Sequence, residues 1–325
     1  MENISNNSEL TAKKAIVTLI KAIRLALSKE IYSPEESDII IKSMKMFEPN
    51  LKNEGDYGWD KVPVDVQMNY MNQCDAFVQS DEKFNNFKRD THYQKILEGG
   101  DHIVGTHAID WLKNTGGYQY LLDNLKVIKE NDIYGNPILS SYEDIKNISS
   151  GTLKYVACSL EIIRLLNQTK PKKILEVGGG YGGLCKTISN LIDFDEYIIA
   201  DLPPVIDLAK KYLSKFDKLN GKLKFISSED DMVVEGIDLF IADASLAELG
   251  KKAQEKYYNN FIKNSKFGFI SWNTNHIAGA DVEFADLLEK IRLQTSSKRF
   301  SSTQPKSKVN VHDYMGANLL TYWPA

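Results

Sequence analysis

The chain has 325 residues, 42% apolar and 26% charged, with a formal net charge of −4, a composition that supports a sizeable globular core. Both signs of charge are mixed along it, which argues against a nucleic-acid footprint, and Lys298, Arg299, Lys306 and Lys308 read as a solvated loop. Cys74, Cys158 and Cys185 lie far apart without metal-ligand spacing, which argues against a disulfide scaffold and fits a reducing, cytoplasmic setting.

The first half is helical in character and short of strand signals. Leu10, Ile16, Ile20, Ile23 and Leu27 recur at helical spacing, so 9–29 is expected to be an amphipathic helix. Its lysines and Arg24 leave it too charged to span a membrane or serve as a signal peptide. Pro34 opens a helix running to about Phe47, and 64–79 and 84–97 are further helix candidates. Gly99, Gly100, Gly105, Gly116 and Gly117 mark turns around a short segment near Trp111, a segment able to fold over a pocket as a lid. His102 and His107 within it are read as structural, and so is Trp111.

Beyond about residue 150 the pattern changes. Apolar runs at 173–177, 197–200, 222–226, 238–242 and 267–272 read as buried strands. Helical patterns at 182–192, 204–216, 250–264 and 281–292 separate them, and a helix at 151–168 leads in. Strand and helix alternating in this way imply right-handed crossovers and a doubly wound sheet. Two last candidates, 298–303 and 317–323, are expected to form an antiparallel edge hairpin. The fold class is therefore α/β: a Rossmann-like, mostly parallel sheet domain at 151–325, preceded by a mainly helical domain at 1–150.

The most informative stretch is Lys172-Lys-Ile-Leu-Glu-Val-Gly-Gly-Gly-Tyr-Gly-Gly-Leu184. A strand ends, the backbone turns on glycines, and a helix N-terminus presents free N–H groups to a ligand. Gly178, Gly180 and Gly183 satisfy a dinucleotide fingerprint. Gly178, Gly180 and Gly182 equally satisfy the looser spacing of S-adenosylmethionine sites. Glu176 separates the two, because a carboxylate there suits a ligand carrying an ammonium and a sulfonium and repels a pyrophosphate. Gly179 and Tyr181 complete the loop.

Asp201 closes the next strand and can accept both hydroxyls of a ribose, with Leu202 beside it; capping the following helix is the plainer role. After the third strand Glu229, Asp230 and Asp231 offer acids for an adenine amino group; Glu229 and Asp230 are the candidates, and at least two of the three are expected to be solvated loop charges. Asp243, Ala244 and Ser245 end the fourth strand and border the same ligand.

Glu176-Val-Gly-Gly-Gly-Tyr-Gly-Gly183 followed by Asp201-Leu-Pro203 resembles the bacterial sugar O-methyltransferases. The resemblance extends through Gly135-Asn-Pro137, Thr152-Leu-Lys-Tyr155, Ser245-Leu-Ala-Glu-Leu249 and Tyr257-Tyr258, over roughly residues 130 to 275. It implies a class I methyltransferase fold, S-adenosylmethionine as cofactor, and as acceptor a hydroxyl of a nucleotide-activated sugar or surface polysaccharide. Ser271-Trp-Asn-Thr-Asn-His276 departs from the Asn-Arg neighbourhood usual there, which leaves any contact made by that arginine without a counterpart.

A sugar hydroxyl is a weak nucleophile at neutral pH, so a general base is expected. Ligands of doubly wound sheets gather at the carboxyl ends of the strands, which leaves His276, Glu248 and Asp243 as candidates. Histidine has the suitable unperturbed pKa. A divalent cation such as Mg, held by Asp243 with Asp281 or Glu283, is the less favoured arrangement. A homodimer through the N-terminal helices is expected from the apolar stripe at 9–29. Competing readings are a methyltransferase of non-sugar small molecules, an NAD-binding oxidoreductase and a silent S-adenosylmethionine-binding scaffold.

Overall fold

The computed structural model describes residues 64–94, 102–246, 249–272, 287, 290–291, 301–302 and 319–323; the helices expected at 9–29 and 34–47 lie outside them. The main elements are α1 (Val64–Gln79), α2 (His102–Thr115), α3 (Tyr118–Asp123), β1 (Leu139–Tyr142), β2 (Ile145–Ser149) and α4 (Ser150–Leu166). They continue with β3 (Lys173–Val177), α5 (Gly183–Leu191), β4 (Glu196–Asp201), α6 (Pro203–Leu213), β5 (Leu223–Ser227) and β6 (Ile237–Asp243). Last come α7 (Lys251–Asn260), β7 (Ser265–Trp272), β8 (Ser301–Ser302) and β9 (Leu319–Trp323).

Seven strands form one sheet in the order β5-β4-β3-β6-β7-β9-β8. The first five run parallel, β9 runs antiparallel to β7, and β8 antiparallel to β9. This is a doubly wound, Rossmann-like sheet, mostly parallel, with an antiparallel C-terminal hairpin at one edge. The chain leaves β3 toward β4 and β5, then crosses back to place β6 on the other side. The crevice between β3 and β6 is therefore the switch point where such sheets bind ligands. Strands covered on both faces need continuous apolar runs; Ile174, Leu175, Val177, Tyr197, Ile198, Ile199 and Ala200 are accordingly all buried.

One face of the sheet shares its core with the helices before it. Tyr70, Cys74 and Phe77 sit one turn apart on α1 and pack, with Phe84, Phe87 and Tyr93, into the cluster that holds Ile174, Tyr181, Ile199 and Tyr212. Leu175, Val177, Phe240, Ile270 and Trp323 fill the opposite face. Among the described residues no helix is long and apolar enough to cross a membrane.

The segment near Trp111 is a correction to the sequence reading. It is the 14-residue helix α2, with Trp111 and Leu112 buried in a third cluster against Leu153 and Val156 of α4. Gly105 therefore marks no turn, whereas Gly116, with φ +82, does turn the chain at the helix end; Gly99 and Gly100 lie outside the described residues. Gly105 lies inside this helix because a Cβ there would stand 2.2 Å from the Tyr142 hydroxyl oxygen. His102 stacks on the same Tyr142 ring, 4.4 Å between centroids, a structural position. The candidate 84–97 is broken into Asp81–Phe84, Phe87–Arg89 and Thr91–Gln94. Asp90 breaks it: its carboxylate accepts from His92 N and Tyr93 N and starts a new turn. The hairpin β1–β2 was missed because Leu139-Ser-Ser-Tyr142 has no alternating apolar signal.

Candidate functional site

Three glycines of the loop after β3 adopt left-handed backbone: φ is +75 at Gly178, +55 at Gly180 and +91 at Gly182. A side chain would strain each of them. Asp201, at the end of β4, holds this loop from the neighbouring strand. One carboxylate oxygen accepts from Gly180 N at 2.9 Å and the other from Leu202 N at 2.7 Å. Each oxygen can still accept one more donor. Burial pushes its pKa up to about 6, against the lowering effect of the two backbone N–H groups. It is thus a charge-bearing acceptor pair turned by the backbone, more than a helix cap.

Glu176 is 2% exposed, and its Oε2 accepts the Tyr197 hydroxyl at 2.8 Å. Burial raises its pKa to about 8; the nearby Asp243 and Asp201 charges push the same way, while the Tyr197 hydrogen bond opposes them. Glu176 lies directly under Gly179, where a Cβ would approach Oε2 to 3.2 Å and Ile199 Cγ2 to 2.8 Å.

At the end of β6, Asp243 is 7% exposed and accepts the Ser271 hydroxyl at 2.5 Å. Its other oxygen meets the Lys154 ammonium at 3.3 Å. Ala244 turns the chain with φ +57, an unusual value for a residue with a Cβ. Ser271 supports that turn by accepting Ala244 N at 2.8 Å on its hydroxyl. Ser245 then donates its hydroxyl to the Val177 carbonyl at 2.6 Å, which ties β6 to β3 across the switch point. Lys154 and Ser271 were not among the residues singled out from the sequence. Lys154 did lie in the Thr152–Tyr155 run that carried the family resemblance, whereas no sequence pattern pairs it with Asp243.

The structure thus brings Glu176, Gly178, Gly179, Gly180, Gly182, Asp201, Asp243, Ala244 and Ser245 to the carboxyl ends of three neighbouring strands. Tyr181 differs. Its ring is 1% exposed and packs edge-on against Tyr212 at 4.8 Å and Phe87 at 5.3 Å, with the Lys88 ammonium 4.4 Å from its centroid. Only its backbone belongs to the loop surface. Leu202 is half-buried against the first cluster.

Of the acids after β5, Asp230 closes its own turn by accepting Ser227 N at 3.2 Å, and Asp231 accepts the Asn260 amide at 2.8 Å. Glu229 is exposed. Tyr70 and Cys74 of α1 and Tyr257 of α7 are buried close enough to Asp201 for its charge to raise their pKa values, after burial itself. They come from two helices, and no spacing in the sequence links them to Asp201.

Gly135-Asn-Pro137 has a structural task. Lys88 N donates to the Gly135 carbonyl, and Arg89 Nε donates to the Asn136 carbonyl at 2.8 Å, clamping the turn to the helical segment before it. His276, Glu248, Asp281 and Glu283 lie outside the described residues. Among the described residues no three histidine, cysteine or acidic side chains converge as a metal site.

No family model and no curated protein matches this chain. Solved structures do. The methyltransferase domain of a bacterial Hen1 is 14% identical, with 52% of this chain and 97% of that one covered at a TM-score of 0.41. A Staphylococcus aureus structure assigned as a caffeoyl-CoA O-methyltransferase is 14% identical, covering 69% and 100% at 0.40. The pyocyanin biosynthetic protein PhzM is 14% identical, covering 54% and 55% at 0.37. At such scores none of them bears on what this chain binds.

Proposed function

We propose that the protein is an S-adenosylmethionine-dependent O-methyltransferase whose acceptor is a hydroxyl of a sugar, either nucleotide-activated or in a surface polysaccharide. The observation that carries the cofactor reading is the charge at the switch point. Glu176, Asp201 and Asp243 end three adjacent strands, and the first feels the other two. Such an acidic crevice favours a cationic sulfonium and ammonium, with Glu176 giving up its proton as the ammonium arrives. It also disfavours the dinucleotide reading, because a pyrophosphate there would face carboxylates.

The donor set fits the cofactor group by group. Asp201 would hold the ribose hydroxyls, Glu176 the ammonium, and the glycine loop the chain between them; Leu202 and Glu229 flank the adenine side. Bound there, S-adenosylmethionine supplies an electrophilic methyl group. The protein's part is to align the acceptor oxygen and accept its proton. His276 and Glu248 are the proposed acceptors of that proton. Asp243, tied to Lys154 and Ser271, is better suited to shaping the site than to exchanging protons.

The sugar class rests on the family resemblance alone. A homodimer through the N-terminal helices belongs to the same proposal, and light scattering at micromolar concentration tests it. For the function itself, titration calorimetry with S-adenosylmethionine and NAD, followed by turnover on a panel of nucleotide sugars, is the deciding measurement. Binding of NAD in preference to S-adenosylmethionine would refute the cofactor assignment; turnover of phenols but not sugars would refute the acceptor class.

A further inference from the structure

Resting on the cofactor reading above, we infer that Lys154 is the cation that holds the carboxylate of the cofactor's amino-acid arm. That arm is a zwitterion. Its ammonium is served by the acidic strand ends, but its carboxylate would be repelled by the same three groups unless a cation stood among them.

Lys154 is that cation. It projects from the first turns of α4 (Ser150–Leu166), whose N-terminus is fixed by Ser149 accepting Thr152 N at 3.0 Å. Its ammonium lies 3.3 Å from Asp243, and its side chain is 20% exposed, so it is neither buried away nor loose in solvent. Asp243 is itself held by Ser271 at 2.5 Å, and the strained Ala244 turn keeps that carboxylate at the strand end. A charge anchored in this way loses little side-chain freedom when a ligand arrives.

The neighbour in sequence fixes the position relative to the loop. The Tyr155 ring packs edge-on to Tyr181, with centroids 6.0 Å apart, and a Cβ on Gly183 would meet Tyr155 Cε2 at 2.5 Å. The same helical turn therefore touches the end of the glycine loop and the end of β6. One turn further on, buried Cys158 senses the charges of Asp243, Lys154 and Glu176 together. The Lys154 ammonium stands 3.3 Å from Asp243, at the end of the strand that pairs with the one carrying Glu176. A cation and acids thus border the same crevice, as the two charged ends of a single α-amino acid require.

The test compares binding of S-adenosylmethionine and of decarboxylated S-adenosylmethionine, which lacks only that carboxylate, to the full chain by calorimetry. Wild type should prefer the carboxylated form by about tenfold or more, the worth of one charge-assisted contact. Lys154→Met should lose that preference by weakening the carboxylated form alone, and Lys154→Arg should restore part of it. Lys154→Gln, which keeps a hydrogen-bonding end near Asp243, is the second variant should the methionine form fail to fold. A preference unchanged in the folded variants would overturn the assignment while leaving the methyltransferase reading intact. So would unchanged cofactor affinities with a raised acceptor KM, which would give Lys154 to the acceptor instead. Failure of wild type to bind either compound would overturn the cofactor reading, and this assignment with it.

Discussion

The Cβ of Ser245 occupies the space that a side chain on Gly178 would need: a Cβ built on Gly178 would lie 2.3 Å from it. The Ser245 hydroxyl meanwhile donates to the Val177 carbonyl at 2.6 Å. The ends of β3 and β6 are therefore locked together just where the sheet reverses its order.

Gly178→Ala meets two costs, a left-handed φ of +75 and this contact. The backbone term is about 1–2 kcal/mol, and the clash adds to it. Chemical denaturation should find the variant destabilised by about 2 kcal/mol or more. Adding Ser245→Gly should recover only the steric part. A Gly178→Ala protein as stable as wild type would mean that the loop can relax away from β6.

Asp201→Ala should weaken S-adenosylmethionine binding by about 2 kcal/mol or more, because charge-assisted bonds to the ribose are lost. The same carboxylate holds Gly180 N and Leu202 N. The ligand-free variant should therefore also melt at a lower temperature, an effect a purely ligand-facing residue would not give. Calorimetry and thermal melting read the two separately, and unchanged affinity would remove Asp201 from the ribose site.

Glu176 makes the pH dependence testable. Its pKa is about 8 in the folded chain, against about 4.3 when unfolded. Between those values the folded state keeps a proton that the unfolded state has released. The stability from this group is thus complete below the unfolded value and is lost as pH rises toward 8. Thermal melts from pH 5 to 8.5 should show wild type losing more stability than Glu176→Gln. If Glu176 meets the cofactor's ammonium, binding at pH 7 should release a proton. Calorimetry in two buffers of different ionisation enthalpy measures that release, and its absence would detach Glu176 from the ammonium.

If His276 is the general base, His276→Asn should lower kcat by roughly 10²–10⁴ while sparing cofactor affinity. The parent enzyme's rate should fall on the acid side near a histidine pKa. If Glu248 takes the proton instead, Glu248→Gln gives the larger loss. Wild-type turnover in both single variants would exclude both.

The sequence alone determined the alternation of strands and helices after residue 150, the glycine turn and the acid at the end of the next strand. Each of these is a local requirement: period, chain reversal, or a residue type next to a turn in the chain. The same logic found the reversed hairpin at the C-terminus. It failed at α2, where Gly105 reads as a turn signal but is demanded by the Tyr142 ring 37 positions away in the chain. It also failed at Tyr181, whose neighbours in the loop point to a ligand while its ring is claimed by Phe87 and Tyr212. The partners that give the site its electrostatic character were beyond it altogether. Lys154, Ser271, Tyr70 and Tyr257 come from four separate helices and strands, and only the packing of α1, α4 and α7 around the sheet brings them to Asp201 and Asp243. Burial then raises Glu176 toward neutrality, a property of the assembled crevice that no residue carries in its own sequence neighbourhood.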